Sequence, residues 1–156
     1  MRLLQVLLLT IALLSTGLLR AAPVDICQAD HLDLMPVIQI FEDTQAGLSL
    51  EEVTQLPNTY FNHATPGWPT QGYSRSAFWL KVQLSNTSTA ACSRLLVVGA
   101  PRLEDIRVYQ PGQDAHAGGA YPLTEWPQPA TRQPAFPVSL AAGESATLLI
   151  RVASNF

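Results

Sequence analysis

The stretch "SRSAFWLKVQLSN", residues 74–86, carries the clearest structural signal in the chain. Every second position from Phe78 to Leu84 is apolar, which is the pattern of a β-strand with one face in a hydrophobic core. Trp79 lies on the opposite face, where it is either a platform for a ligand or part of a second buried layer. We expect packing, beneath the proline-rich loop predicted for residues 57–73.

Turn residues separate this strand from other short apolar segments, and helix-forming sequence is almost absent. Residues 93–99 are apolar on both faces, which predicts a covered strand. Residues 48–56 predict one short helix, because Ser49 and Glu52 form a capping box ahead of Pro57. Strands are predicted at residues 37–41, 76–84, 93–99, 104–110, 135–140 and 146–152.

Short strands at this spacing predict an all-β, antiparallel β-sandwich of the jelly-roll type. Such a sandwich usually has about eight strands, and the sequence supplies six or seven. We therefore expect that the last strand is missing or is supplied by a partner chain.

The first 21 residues have the composition of a secretory signal peptide. Arg2 precedes a short apolar stretch, and small residues lead to a predicted cleavage after Ala21. An uncleaved leader would instead anchor the domain in the membrane. Cleavage leaves seven basic and twelve acidic side chains, a net charge of −5, which argues against nucleic acid as a partner. A periplasmic or secreted protein is predicted.

Two cysteines remain after the leader, Cys27 and Cys92. In an oxidising compartment such a pair predicts a disulfide, although two free thiols are the alternative. The bond would close a loop of about 65 residues and stabilise the fold by roughly 4 kcal/mol. Zinc is not expected, because no further cysteine pair or nearby histidine completes a ligand set.

No catalytic motif, phosphate loop or dinucleotide fingerprint is present, and the histidines are far apart in sequence. We predict neither an enzyme nor a cofactor. Aromatic faces can stack on sugars and arginines can bind carboxylates, so a ligand site is predicted from loop or outward positions. The alternative is that the aromatic rings fold back over the sheet edge. The candidate ligand-binding residues are Trp68, Trp126, Arg132, Tyr109 and Arg107.

Four segments together resemble a known family, the extracellular sensory domain (type 2) of bacterial seven-transmembrane receptors with diverse intracellular signalling modules. They occur in the family's order and cover nearly all of residues 38–154. The segments are "FEDTQAGLSLEEVTQLP" (41–57), "GYSRSAFWLKVQLSN" (72–86), "PRLEDIRVYQPG" (101–112) and "FPVSLAAGESATLLIRVAS" (136–154).

The resemblance implies a jelly roll similar to carbohydrate-binding modules, placed before seven membrane helices that lead to a diguanylate cyclase or a histidine kinase. With the leader, the predicted organisation is a signal peptide (1–21), an N-terminal segment (22–36) and a sensory sandwich (37–156) that is truncated at its C-terminal end. The sequence departs from the family in having no membrane or output region, so a truncated receptor or a free periplasmic binder is expected. Arg132 matches the family, whereas Trp126 stands where another arginine is common.

A periplasmic sensor of a small-molecule or carbohydrate-like ligand is therefore the leading hypothesis. The alternatives are a secreted carbohydrate-binding module and an interaction module that completes its sheet with a strand from another chain. The sequence does not identify the ligand or the output module.

Overall fold

The computed structural model describes residues 22–64, 74–99, 105–113, 115–118 and 133–153. These residues form nine β-strands, one α-helix and one 3-10 helix. In chain order the elements are β1 (Val24–Asp25), β2 (Gln39–Asp43), α1 (Leu50–Gln55), the 3-10 helix (Asn58–Tyr60), β3 (Asn62–His63), β4 (Ala77–Ser85), β5 (Cys92–Val97), β6 (Asp105–Tyr109), β7 (His116–Gly118), β8 (Ala135–Leu140) and β9 (Ser145–Ala153).

The strands form two sheets of unequal size. The larger has the order β3-β2-β4-β9-β6-β7, and every neighbouring pair on this path is antiparallel. The short β1 pairs in parallel with the end of β4. The smaller sheet consists of β5 and β8, which are antiparallel. The predicted all-β, antiparallel sandwich is confirmed.

Strand β4, which contains most of the opening stretch, lies in the middle of the larger sheet. It pairs with β9 along its whole length, from Ala77 opposite Ala153 to Ser85 opposite Ser145. Its other edge pairs with β2 and then with β1. The rest of the larger sheet is therefore built outward from this strand.

The main core fills the space between the two sheets. The predicted inward positions of β4, β6, β8 and β9 belong to it, which confirms the alternation seen in the sequence. Phe78 and Leu80 are only half-buried, because they face the open end of the sandwich. The fully buried members from the predicted strands include Val82, Leu84, Ile106, Val108, Phe136, Val138, Leu140, Leu148 and Ile150.

A second, smaller core covers the other face of the larger sheet and explains Trp79. This side chain is 1% exposed and belongs to a cluster with Val53 of α1, Phe61 and Leu149. Its ring stacks on Tyr109 with centroids 5.8 Å apart. The expectation of second-layer packing is confirmed, and the covering residues come from α1 and from Phe61 within the predicted loop.

Helix α1 begins with the predicted capping box. The Ser49 hydroxyl accepts from the Glu52 amide at 3.3 Å, and the Ser49 amide donates to the Glu52 carboxylate at 2.8 Å. This amide holds the pKa of Glu52 below its ordinary value. The helix ends at Gln55, two residues before Pro57, as expected for a residue that cannot continue a helix.

Two details of the sequence prediction are wrong. Strand β5 is not covered on both faces, because two of its apolar side chains on the face away from the main core are exposed. Leu95 and Val97 on that face are 59% and 50% exposed. Strand β2 also begins two residues later than the predicted 37–41.

The N-terminal segment, residues 22–36, is attached to both sheets. A disulfide joins Cys27 to Cys92 at the start of β5, with the two Cα atoms 6.2 Å apart. The Ile26 amide donates to the Ser85 carbonyl of β4 at 2.9 Å. The predicted disulfide is thus present, and it connects this segment to the smaller sheet.

Asp25 adds a further attachment. One carboxylate oxygen accepts from the Cys27 amide at 2.8 Å. The other accepts from the Thr87 amide at 3.1 Å and from the Thr87 hydroxyl. The Thr87 hydroxyl is the main cause that lowers the pKa of Asp25, followed by the Cys27 amide.

Replacing Trp79 with alanine is expected to lower the free energy of unfolding by about 3–5 kcal/mol, because a large buried side chain leaves a cavity. Trp79→Phe should cost less, since it keeps a ring against Tyr109. Urea denaturation followed by circular dichroism measures both. Leu95→Ala, at an exposed position, is the control and should change stability by less than about 0.5 kcal/mol. Equal losses from W79A and L95A would contradict the second core.

Replacing Cys27 and Cys92 together with serine is expected to lower the free energy of unfolding by roughly 4 kcal/mol, as loop-entropy arithmetic gives for a separation of 65 residues. Denaturation of the wild type with and without reductant gives an independent measurement. The reduced wild type should match the double variant. A denaturation curve that reductant does not move would show that the bond makes no contribution.

The Asp25 interactions predict a loss of stability in acid. A carboxyl group with a lowered folded-state pKa stabilises the fold above its unfolded value near 3.8, and this contribution is lost as the pH falls through the folded-state pKa. Asp25→Asn and Thr87→Val should therefore destabilise the protein at pH 7 and differ less from wild type at pH 3. The urea midpoint at each pH measures this. A difference that is equal at both pH values would contradict the assignment.

Candidate ligand site between the two sheets

A cavity of about 770 Å³ opens where the smaller sheet leaves part of the larger sheet uncovered. Its wall on the larger sheet contains Phe78 and Leu80 of β4 and Ile150 of β9. Leu96 of β5 forms part of the opposite wall. The half-burial of Phe78 and Leu80 therefore has a structural reason, since these core-facing side chains border an opening between the sheets.

The N-terminal segment supplies the third wall. Residues 29–35 line the cavity, with Leu32 and Leu34 packed against the main core. The amides of Val37 and Ile38 both donate to the Leu34 carbonyl at 3.0 Å, which turns the chain back toward β2. One wall of this cavity is therefore a segment that the disulfide and Asp25 attach to the rest of the domain.

Arg94 is the cationic side chain of the cavity wall. It follows Cys92 on the inward face of β5 and is half-buried. Its Nε donates to the Ile26 carbonyl at 3.1 Å, and its Nη1 donates to the Ser93 carbonyl at 3.3 Å. Neither ion pair found within the described ranges involves this guanidinium.

The hydroxyl groups of the cavity already have partners. Ser76 donates from its hydroxyl to the Glu42 carboxylate at 2.6 Å. Ser74 accepts at its hydroxyl from the Ser76 amide at 3.1 Å. Both serines line the cavity, and the Ser76 hydroxyl proton is already donated, which leaves the Ser74 hydroxyl as the donor that could serve a ligand.

Three titratable side chains of the N-terminal segment also line the cavity, namely Asp30, His31 and Asp33. One oxygen of Asp33 accepts from the Met35 amide at 3.0 Å. The described part of the cavity wall thus combines a largely apolar surface with Arg94, His31 and two carboxylates.

Two predicted ligand residues, Arg107 and Tyr109, lie on the other face of the larger sheet. Arg107 donates to Asp105 at 3.0 Å, and this hydrogen bond raises the pKa of the guanidinium. Arg151 donates to the second Asp105 oxygen at 2.8 Å and to the Ala46 carbonyl at 3.2 Å. Asp105 therefore bridges two arginines that are directly opposite each other on β6 and β9.

Alternation along β6 separates these residues from the cavity. Ile106 and Val108 point into the main core, so Arg107 and Tyr109 face the side that α1 covers. Tyr109 is half-buried against Trp79. The structure therefore does not bring Arg107 and Tyr109 together with the cavity residues.

The remaining predicted ligand residues, Trp68, Trp126 and Arg132, lie outside the described residues, as does the predicted signal peptide at 1–21. Their part in ligand binding stays a prediction.

Sequence reasoning missed Arg94 and the wall formed by residues 29–35. The signal for Arg94 was available, because a charged residue at an inward position of an otherwise apolar strand needs a reason. For residues 29–35 no periodic pattern exists, so only the position of the disulfide could have indicated that this segment lies against the sandwich.

In the part of the chain that the structure describes, no three histidine, cysteine, aspartate or glutamate side chains are arranged to hold a metal ion. Within the same ranges, no helix is both long enough and apolar enough to cross a membrane.

Comparison with known proteins identifies the domain. A search of curated proteins finds no match for the chain. A family model described as 7TMR-DISM extracellular 2 matches residues 35–156, which include every strand of the two sheets except β1 and most of the described cavity wall. This confirms the family resemblance seen in the sequence. The chain belongs to the 7TMR-DISM extracellular 2 family and is a periplasmic or extracellular sensor domain of a membrane receptor.

Proposed function

We propose that this domain senses a small-molecule ligand, and that the ligand binds in the cavity between the sheets. The observation that supports this is a cavity of about 770 Å³ in a member of a sensor-domain family. Its volume lies within the roughly 300–1,000 Å³ of typical small-molecule sites, which are also mostly apolar with a few polar groups.

The construction of the cavity suggests how binding would be transmitted. Its walls come from the larger sheet, from β5 of the smaller sheet and from residues 29–35. A ligand that contacts all three walls would favour the conformation in which these walls lie closest to one another. Binding free energy would then bias the membrane part of a receptor, and through it an output module such as a diguanylate cyclase or a histidine kinase.

A second candidate function is completion of the smaller sheet by a strand from a partner chain. Strand β5 carries the exposed Leu95 and Val97, and among the described residues it pairs only with β8. An exposed apolar edge strand is a template for such pairing. If the sedimentation coefficient of the purified domain does not change with concentration, the domain does not pair with its own copies. The added strand would then have to come from a different protein.

The test of the cavity uses N-phenyl-1-naphthylamine, an uncharged fluorescent probe of apolar sites. We expect Leu96→Trp, which fills the cavity from β5, to weaken probe binding by about tenfold or more, because it removes the volume that the probe needs. Fluorescence titration measures the affinity. Near-ultraviolet circular dichroism checks that the variant is folded.

The matched control is Ser93→Trp, which adds the same side chain to the exposed face of the same strand. It should leave probe affinity unchanged. Equal affinity of the probe for wild type, L96W and S93W would refute the proposed site. Tight binding of a glycan that L96W leaves intact would favour carbohydrate recognition elsewhere on the domain.

A further inference from the structure

We propose that the natural ligand of the cavity is an amphipathic molecule with an apolar body and one anionic oxyacid group, and that Arg94 binds this group. This inference rests on the proposed function, because it names the chemical class of ligand for the same cavity. It replaces the carbohydrate-like ligand expected from the family resemblance.

The position of Arg94 is the first argument. It occupies an inward position on β5 between Cys92 and Leu96, and both of these side chains pack against the main core. A half-buried guanidinium loses part of its hydration, and this cost is offset only by hydrogen bonds or a counter-charge. Arg94 has two carbonyl partners but no ion pair with a described carboxylate.

The unused capacity of this side chain is the second argument. A guanidinium has five N–H donors, and those that point outward form a planar fork suited to a carboxylate or a similar oxyacid. The two carbonyl bonds use Nε and one donor of Nη1. These bonds also orient the group, so little further ordering is needed when an anion binds.

The apolar lining is the third argument, and it disfavours sugars in this cavity. A buried sugar hydroxyl without a partner costs about 1–3 kcal/mol. Among the described lining residues only Ser74 and Ser76 carry hydroxyl groups, and the Ser76 proton is already donated to Glu42. The surrounding wall is mainly aliphatic, with Leu80, Leu96 and Ile150 among its residues. An apolar body gains free energy from contact with such a wall.

The carboxylates of the cavity limit the charge of the ligand. Asp30 and Asp33 lie on the N-terminal segment and line the same cavity as Arg94. A second anionic group on the ligand would be repelled by these two carboxylates, and among the described lining residues Arg94 is the only lysine or arginine that could offset this repulsion. A monoanionic amphiphile therefore fits better than a dianionic one.

A matched pair of probes tests the proposal. The first, 8-anilinonaphthalene-1-sulfonate, has the skeleton of N-phenyl-1-naphthylamine with one added sulfonate. We expect Arg94→Gln to weaken binding of the sulfonate probe by about tenfold, the loss of a charge-assisted hydrogen bond, and to leave the uncharged probe unaffected. Arg94→Lys should retain part of the affinity, and decanoate should displace the sulfonate probe from wild type at lower concentration than from R94Q.

The control is Arg107→Gln, which removes a charge from the opposite face of the larger sheet and should not affect either probe. The uncharged probe shows in each variant that the cavity is intact. If L96W excludes the uncharged probe while R94Q and wild type bind the sulfonate probe equally, the cavity is a ligand site but Arg94 does not select anions. If L96W has no effect on the uncharged probe, the proposed function itself fails.

Discussion

The pairing of β4 with β9 along the full length of β4 is the constraint on which the rest of the structure depends. It places β4 inside the larger sheet, and both faces of the strand carry large apolar side chains that are covered. One face meets the smaller sheet, and the other meets α1 and Phe61 around Trp79. A one-residue slip would exchange these faces and place Lys81 and Gln83 in the main core. Register and layering are therefore decided together.

The unequal size of the two described sheets bounds the cavity. Two strands, β5 and β8, face a larger sheet of seven, so the described part of the smaller sheet covers the larger one incompletely. Residues 29–35 close part of the gap, and the described wall of the remaining cavity is mainly aliphatic with one arginine. The cavity is thus a consequence of how these two sheets and the N-terminal segment are assembled.

The sequence predicted what short-range rules determine. The capping box of Ser49 and Glu52 is local, and β8 was predicted with its observed bounds because its inward residues alternate. The strands β1, β3 and β7 were missed because two or three residues show no period. Arg94 was missed because the apolar residues next to it predicted a strand buried on both faces, and a charged residue was not considered there. Arg107 and Tyr109 were predicted to bind a ligand because they point away from the main core. The sequence did not indicate that α1 covers this face of the larger sheet.

The disulfide between Cys27 and Cys92 makes completion of the cavity depend on where the chain is. In a reducing cytoplasm both thiols stay free. The segment that forms the third wall is then held by hydrogen bonds such as that from Ile26 to Ser85 and by the packing of Leu32 and Leu34 against the main core, without a covalent link to the smaller sheet. The covalent link between this segment and the smaller sheet forms only after export to an oxidising compartment. If the proposed ligand binds in this cavity, the domain reaches its full affinity only where the disulfide has formed, which is outside the cytoplasm.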